Sequence, residues 1–184
     1  MGAGSSSELS PEDIEEIHTL TQFSRQEVQR LYRRFKDLDR SNTGLLTTAD
    51  FMSIPEFAIN PLGLRIIALF DTHGTELINF KQFCDTLSAF RADAPLEKKL
   101  ALVFRLYDGD NNDKIERSEL FNVVKRMVGS HIPEPQLWQL VDKVILDSKG
   151  AKRVDPAELQ YISRTDFERV LSELHLQSKL AIRF

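Results

Sequence analysis

Residues 108–119 read Asp-Gly-Asp-Asn-Asn-Asp-Lys-Ile-Glu-Arg-Ser-Glu, with oxygen-bearing side chains at the first, third, fifth, ninth and twelfth places. A hard divalent cation such as Ca²⁺ takes six to eight oxygens, and a loop offering one at nearly every second residue can wrap it. This is the spacing of an EF-hand loop. Asp108, Asp110 and Asn112 would give side-chain oxygens, Lys114 its carbonyl, and Glu116 an oxygen directly or through water. Glu119 would close the site with both carboxylate oxygens, and Ile115 would form a short strand against a partner loop. The alternative is an acidic turn between helices. Against it, apolar residues at helical spacing flank both ends: Leu100, Val103, Phe104 and Tyr107 before, Leu120, Phe121, Val124 and Met127 after. The sixth place, usually Gly because the backbone needs positive φ there, is Asp113. Asp tolerates that region at a cost of about 1 kcal/mol, which predicts a weakened site.

Three related stretches keep the frame and lack ligands. Asp39–Asp50 carries Ser41, Thr43, Gly44 and Thr47 at ligand or turn places and Leu46 at the strand place. Its hydroxyls and its short closing Asp offer little charge to a cation. Asp71–Gln82 has His73, Thr75 and Glu76, with Ile78 at the strand place, and ends on a residue that cannot chelate as an anion. The fourth stretch, Asp147 to Asp166, exceeds twelve residues, has Ile162 at the strand place, and brings Lys149, Lys152 and Arg153 near the cation position. It is expected not to bind.

The elements that must hold these loops follow. The pattern predicts an all-α fold: four EF-hand helix–loop–helix units in two paired lobes, with short two-strand ribbons between paired loops. Pairing is required because one unit cannot bury its apolar face alone. The expected organisation is a leader at 1–9, an N-terminal pair at 10–90 and a short linker at 91–95. A C-terminal pair at 96–176 and a tail at 177–184 complete it. Ser10-Pro11-Glu12-Asp13 and Ser24 with Glu27 read as helix starts, Asn60-Pro61 as another, and Gly129 as a helix end.

The chain has 184 residues, 41% hydrophobic and 28% charged, as in folded proteins. A net charge of −4 argues against nucleic acid as partner. The lone Cys84 excludes an internal disulfide and fits a small buried hydrophobe. No apolar run approaches the ~20 residues of a membrane span. The histidines (His18, His73, His131, His175) show no metal-ligand spacing, and no nucleophile–base or phosphate-loop pattern points to an enzyme. Met1-Gly2-Ala3-Gly4-Ser5-Ser6 fits N-myristoylation at Gly2, although a flexible Gly/Ser leader reads similarly. One such chain gives only reversible membrane binding. Phe57, Ile59, Leu62, Met127, Val128, Leu137 and Trp138 are candidates for an apolar groove accepting an amphipathic helix, and the tail Leu180–Phe184 for lying over it.

Thr21-Gln-Phe-Ser24, Arg30-Leu-Tyr-Arg-Arg-Phe35, Ala58-Ile-Asn-Pro-Leu-Gly63-Leu-Arg-Ile-Ile67, Phe104-Arg-Leu-Tyr-Asp108 and Ile182-Arg-Phe184 resemble the calcineurin B homologous proteins over nearly the whole chain. The resemblance implies a myristoylated EF-hand accessory subunit with degenerate first loops. Its partner would be the juxtamembrane cytoplasmic helix of a Na⁺/H⁺ exchanger, with an added restraint on calcineurin. It also implies a cytoplasmic protein peripheral on the cytosolic face of membranes, able to shuttle to the nucleus. Two departures stand out. The fourth loop is expanded, as in the tescalcin branch, and the family's long acidic insert is reduced to Arg91–Pro95. The other partner reading is the regulatory B-type subunit of calcineurin itself, against which three poor loops count.

Overall fold

The computed structural model describes residues 9–150 and 155–173. Gly2 and the rest of the leader up to residue 8, Lys152, Arg153 and the tail 177–184 lie outside the described residues. Helices dominate, in the order α1 (Pro11–Thr21), α2 (Arg25–Leu38), α3 (Thr48–Met52), α4 (Pro55–Ala58), α5 (Gly63–Ala68) and α6 (Phe80–Ser88). There follow α7 (Leu96–Tyr107), α8 (Arg117–Val128), α9 (Glu134–Ser148) and α10 (Arg164–Glu173). Strands β1 (Leu46–Thr47) and β2 (Leu77–Ile78) form one antiparallel ribbon, and β3 (Lys114–Glu116) and β4 (Tyr161–Ser163) the other.

The expected strand residues face one another, Leu46 opposite Ile78 and Ile115 opposite Ile162. All four are buried, so each ribbon ties two loops together over the core beneath. The first core gathers Phe35, Phe51, Phe70, Phe80 and Phe83 with Val28, Leu31 and Cys84. Its rings meet at mixed angles, edge-on between Phe35 and Phe80 at 5.3 Å, tilted between Phe51 and Phe70 at 5.1 Å and stacked between Phe70 and Phe83 at 5.7 Å. The second core contains Phe104, Leu120, Phe121, Leu137, Val141 and Ile145. A third, small cluster of Leu69, Ala89 and Leu102, with Phe90 and Leu106, joins the two halves.

Local signals explain the helix ends. Ser10 and Ser24 accept from the backbone of Asp13 and Glu27, whose carboxylates return to the caps. Gly129 ends α8 with φ +61, its N–H donating to the Lys125 carbonyl. The helix expected from Asn60-Pro61 begins later, at Gly63. Asn60 folds its side-chain oxygen onto the Leu62 N–H at 2.9 Å and its carbonyl onto the Gly63 N–H at 2.9 Å, making a turn first. Gly63 must be glycine, since a β-carbon there would lie 2.2 Å from the Phe57 carbonyl oxygen.

Segment 91–95 is pinned on both sides. Arg91 forms a fork with Asp93 at 2.9 and 2.8 Å and lies 4.9 Å above the Phe23 ring. Lys99, almost fully buried, donates to the Ala92 carbonyl at 3.1 Å.

Candidate metal centre and its relatives

Helix α7 delivers Asp108, helix α8 delivers Glu119, and the turn between them supplies Asp110. One carboxylate oxygen from each lies within 4.8 Å of the others. Asn112 is joined to this group through its amide, which donates to Asp110 Oδ2 at 2.9 Å and Glu116 Oε1 at 3.4 Å. Lys114 opens strand β3, and its N–H donates to Asn112 Oδ1 at 2.9 Å. The sixth-place residue Asp113 has φ +61, as the spacing requires, and Asn111 also sits in the left-handed region at φ +58. The Arg164 guanidinium of α10 meets the Asp113 carboxylate at 2.6 Å, with both side chains well exposed.

Side by side, the loops disclose a division of labour that spacing alone does not reveal. In each of the first three, the opening Asp uses both oxygens to accept backbone amides of the fifth and sixth places. Asp39 takes Thr43 at 3.0 Å and Gly44 at 2.7 Å. Asp71 takes Thr75 at 3.0 Å and Glu76 at 2.6 Å. Asp108 takes Asn112 at 3.1 Å and Asp113 at 3.0 Å. The fourth and sixth places of all three have positive φ, at Asn42 and Gly44, Gly74 and Glu76, Asn111 and Asp113.

The ninth and twelfth places share a second duty. Thr47 with Asp50, Asn79 with Gln82, Glu116 with Glu119, and Ser163 with Asp166 form reciprocal caps at the starts of α3, α6, α8 and α10. The opening and closing residues therefore shape a loop whether or not an ion is held.

Electrostatics separates the loops. Burial works against the charge of Asp39 and Asp71, yet the amides of Gly44 and Thr43, and of Glu76 and Thr75, hold both carboxyls below the ordinary range. Asp108 makes the same backbone contacts, but its carboxyl is raised. Burial is the main cause, with Asp110 and Glu119 adding to it. A divalent cation held by these three carboxylates would favour their charged forms and so offset both causes. The donor set thus fits Ca²⁺: Asp108, Asp110 and Glu119 would hold it, with Asn112, Lys114 and Glu116 adjoining.

The fourth loop shows the opposite arrangement. Lys149 donates to Asp166 Oδ2 at 2.7 Å, and its side chain is only 6% exposed. Its ammonium also lies 4.6 Å from the centre of the Tyr161 ring. A covalently attached cation thus neutralises the closing carboxylate. The sequence placed Lys149 near the cation position; its pairing with the capping carboxylate needed the structure.

The groove candidates separate. Ile59 is 82% exposed and Met127 57%, whereas Leu137 belongs to the second core. Phe57 lies edge-on to Phe51 at 5.7 Å, and Leu62 and Val128 are half-buried. Trp138 stacks on Phe121 at 3.8 Å with the Arg117 guanidinium 4.2 Å over its ring. An apolar cleft of about 300 Å³, not found from sequence, opens between α7, α9 and α10, lined by Tyr107, Leu120, Val144, Phe167, Val170 and Leu171.

No family model matches the chain. Among curated proteins, the calcineurin B subunit of Naegleria gruberi is 40% identical over 183 residues, covering 100% of this chain and 99% of its own. The type 1 calcineurin B subunit of Dictyostelium discoideum is 41% identical over 139 residues, 76% of this chain and 77% of that one. The chain belongs to the calcineurin B-like family of EF-hand proteins. The narrower placement among the exchanger-binding homologous proteins finds no support in these relatives, whose names are those of calcineurin subunits.

Proposed function

We propose that this chain is the Ca²⁺-binding regulatory subunit of a calcineurin-type phosphatase, built as two pairs of EF-hand units. In this role it binds an amphipathic helix of the catalytic chain and performs no catalysis itself. The observation that carries this reading is the full-length match to a calcineurin B subunit. Of the two partner readings weighed from sequence, the relatives favour the phosphatase over the Na⁺/H⁺ exchanger. The objection from three poor loops loses its force, because Asp39, Asp71, Asp50 and Gln82 perform backbone duties that outlast ion binding.

In this reading Ca²⁺ in loop 108–119 supplies the charge that neutralises Asp108, Asp110 and Glu119. The chain's own residues do the rest. Ile115 carries loop order into the ribbon and Leu120 into the core beside the apolar cleft, which accepts the partner helix. Acylation of Gly2 would add reversible attachment to the cytosolic face of membranes, the cytoplasm being the proposed location.

The test is a pull-down offering the purified chain a calcineurin catalytic chain and, separately, the cytoplasmic juxtamembrane segment of an exchanger. Capture of the phosphatase is expected, weakened by chelator and by Glu119→Gln. Glutamine keeps the cap, as Gln82 does in loop 71–82, and removes the bidentate anion. Capture of the exchanger segment alone would overturn the reading.

A further inference from the structure

The segment around Asn60-Pro61-Leu62-Gly63 has a turn to explain it, but the arginine that follows does not belong to the lobe it sits in. Arg65, on α5, reaches 41 residues along the chain and donates to the Leu106 carbonyl at 2.9 Å and the Tyr107 carbonyl at 3.2 Å. These are last-turn carbonyls of α7, which lack partners within the helix. The next residue is Asp108, the opening ligand of the metal loop.

The contact continues into the loop itself. A β-carbon on Gly109 would lie 3.4 and 3.5 Å from the two terminal Arg65 nitrogens and 3.2 Å from Glu119 Oε1. The guanidinium therefore packs directly on the second place of the loop. Glu119 Oε1 accepts the Gly109 N–H at 2.6 Å, so the same residue links the arginine to the closing ligand. Behind this contact, Leu69 packs with Leu102 in the small cluster joining the two halves. A cleft of about 390 Å³, lined by Arg65, Asp71, Gly74, Asp108 and Asn111, separates the second and third loops beside it.

We propose that Arg65 is a positioning residue through which the N-terminal half sets the calcium affinity of the loop at 108–119. The inference rests on the calcium reading of that loop. Two effects of the guanidinium oppose each other, and the sign of the outcome separates them. As a bare positive charge it would repel a divalent cation, so its removal would tighten binding. By holding the end of α7 through Nη1 and packing its flat guanidinium against Gly109, it lowers the ordering cost of the loop, so its removal weakens binding. Nη1 donates to both last-turn carbonyls of α7, and on that geometry the second effect is the one expected to prevail. By reciprocity, calcium must then steady α5.

The experiment is calorimetric Ca²⁺ titration of the full chain as wild type, Arg65→Ala, Arg65→Lys and Glu119→Gln, with hydrogen exchange over residues 63–70. Arg65→Ala should keep one site and bind about fivefold or more weakly. Arg65→Lys keeps the charge without the flat guanidinium that packs on Gly109 and should fall between the two; it carries the test should the alanine variant not fold. Calcium should slow exchange over residues 63–70 in the wild type and not in Arg65→Ala. Unchanged or tighter binding in the arginine variants overturns the proposal, as does exchange in that segment indifferent to calcium. If the wild type binds and Glu119→Gln does not, such a result sinks the arginine alone. If neither binds, the calcium reading falls and takes the proposal with it.

Discussion

A carboxylate at the start of each loop looks in the sequence like a metal ligand, and in three loops it is first a staple for the backbone. Asp39 shows this most plainly, because its neighbours offer little to a cation while its two amide contacts are short. Asp39→Ala should therefore destabilise the protein by roughly 1–3 kcal/mol with no change in the number of Ca²⁺ bound. Urea unfolding and equilibrium dialysis check the two halves of that statement; a lost calcium would assign Asp39 to an ion instead. The gathering of Asp108, Asp110 and Glu119 was legible because their spacing is local and periodic. Lys149 on Asp166 and Arg164 on Asp113 could not be paired from sequence, since the partners lie 17 and 51 residues apart and meet only after folding. Cys84 behaves as its apolar setting implied, fully buried with a thiol raised to about 12 by burial.

Among the elements, the helices and ribbons followed from apolar spacing and caps, and the strand residues Leu46, Ile78, Ile115 and Ile162 were all found in register. What periodicity missed was the broken exit from the first loop. There α3 stops at Met52 and α4 begins at Pro55, with α5 delayed by the Asn60 turn. Side-chain fate was also hidden where one apolar stripe serves two purposes. Leu137 enters the core while Leu140 and Val144, on the same helix, stay 40% and 39% exposed. The fourth loop gives this scale its prediction. Burial opposes the charge of Asp166, but hydrogen bonds from Lys149 and Ser163 prevail and lower its carboxyl. A lowered carboxyl contributes stability above its unfolded value, about 3.9, and loses it as pH falls through the folded one. Lys149→Met should therefore destabilise at neutral pH, and the deficit should shrink below about pH 4. Urea midpoints of both proteins at pH 7 and pH 3 give the comparison; a deficit independent of pH would mean that Lys149 acts by packing alone.

For the whole molecule, the two cores are bridged by a few residues, and Leu102 is the largest buried side chain contributed to that bridge by the second half. Leu102→Ala should cost roughly 2–4 kcal/mol, read as a lowered denaturant midpoint with one calcium still bound. A cost near zero would mean that the halves do not support each other. The backbone role of the loop ends has one more consequence, for mutational tolerance. Substitutions at the inner positions Ser41, Thr43 and Thr75 remove single oxygens and, like those at His73, should spare the architecture. Those at Asp39 and Asp71 strip two amides of their acceptor at once. A chain built this way can shed an ion in stages, from the middle of the loop outward, without ever passing through an unfolded sequence.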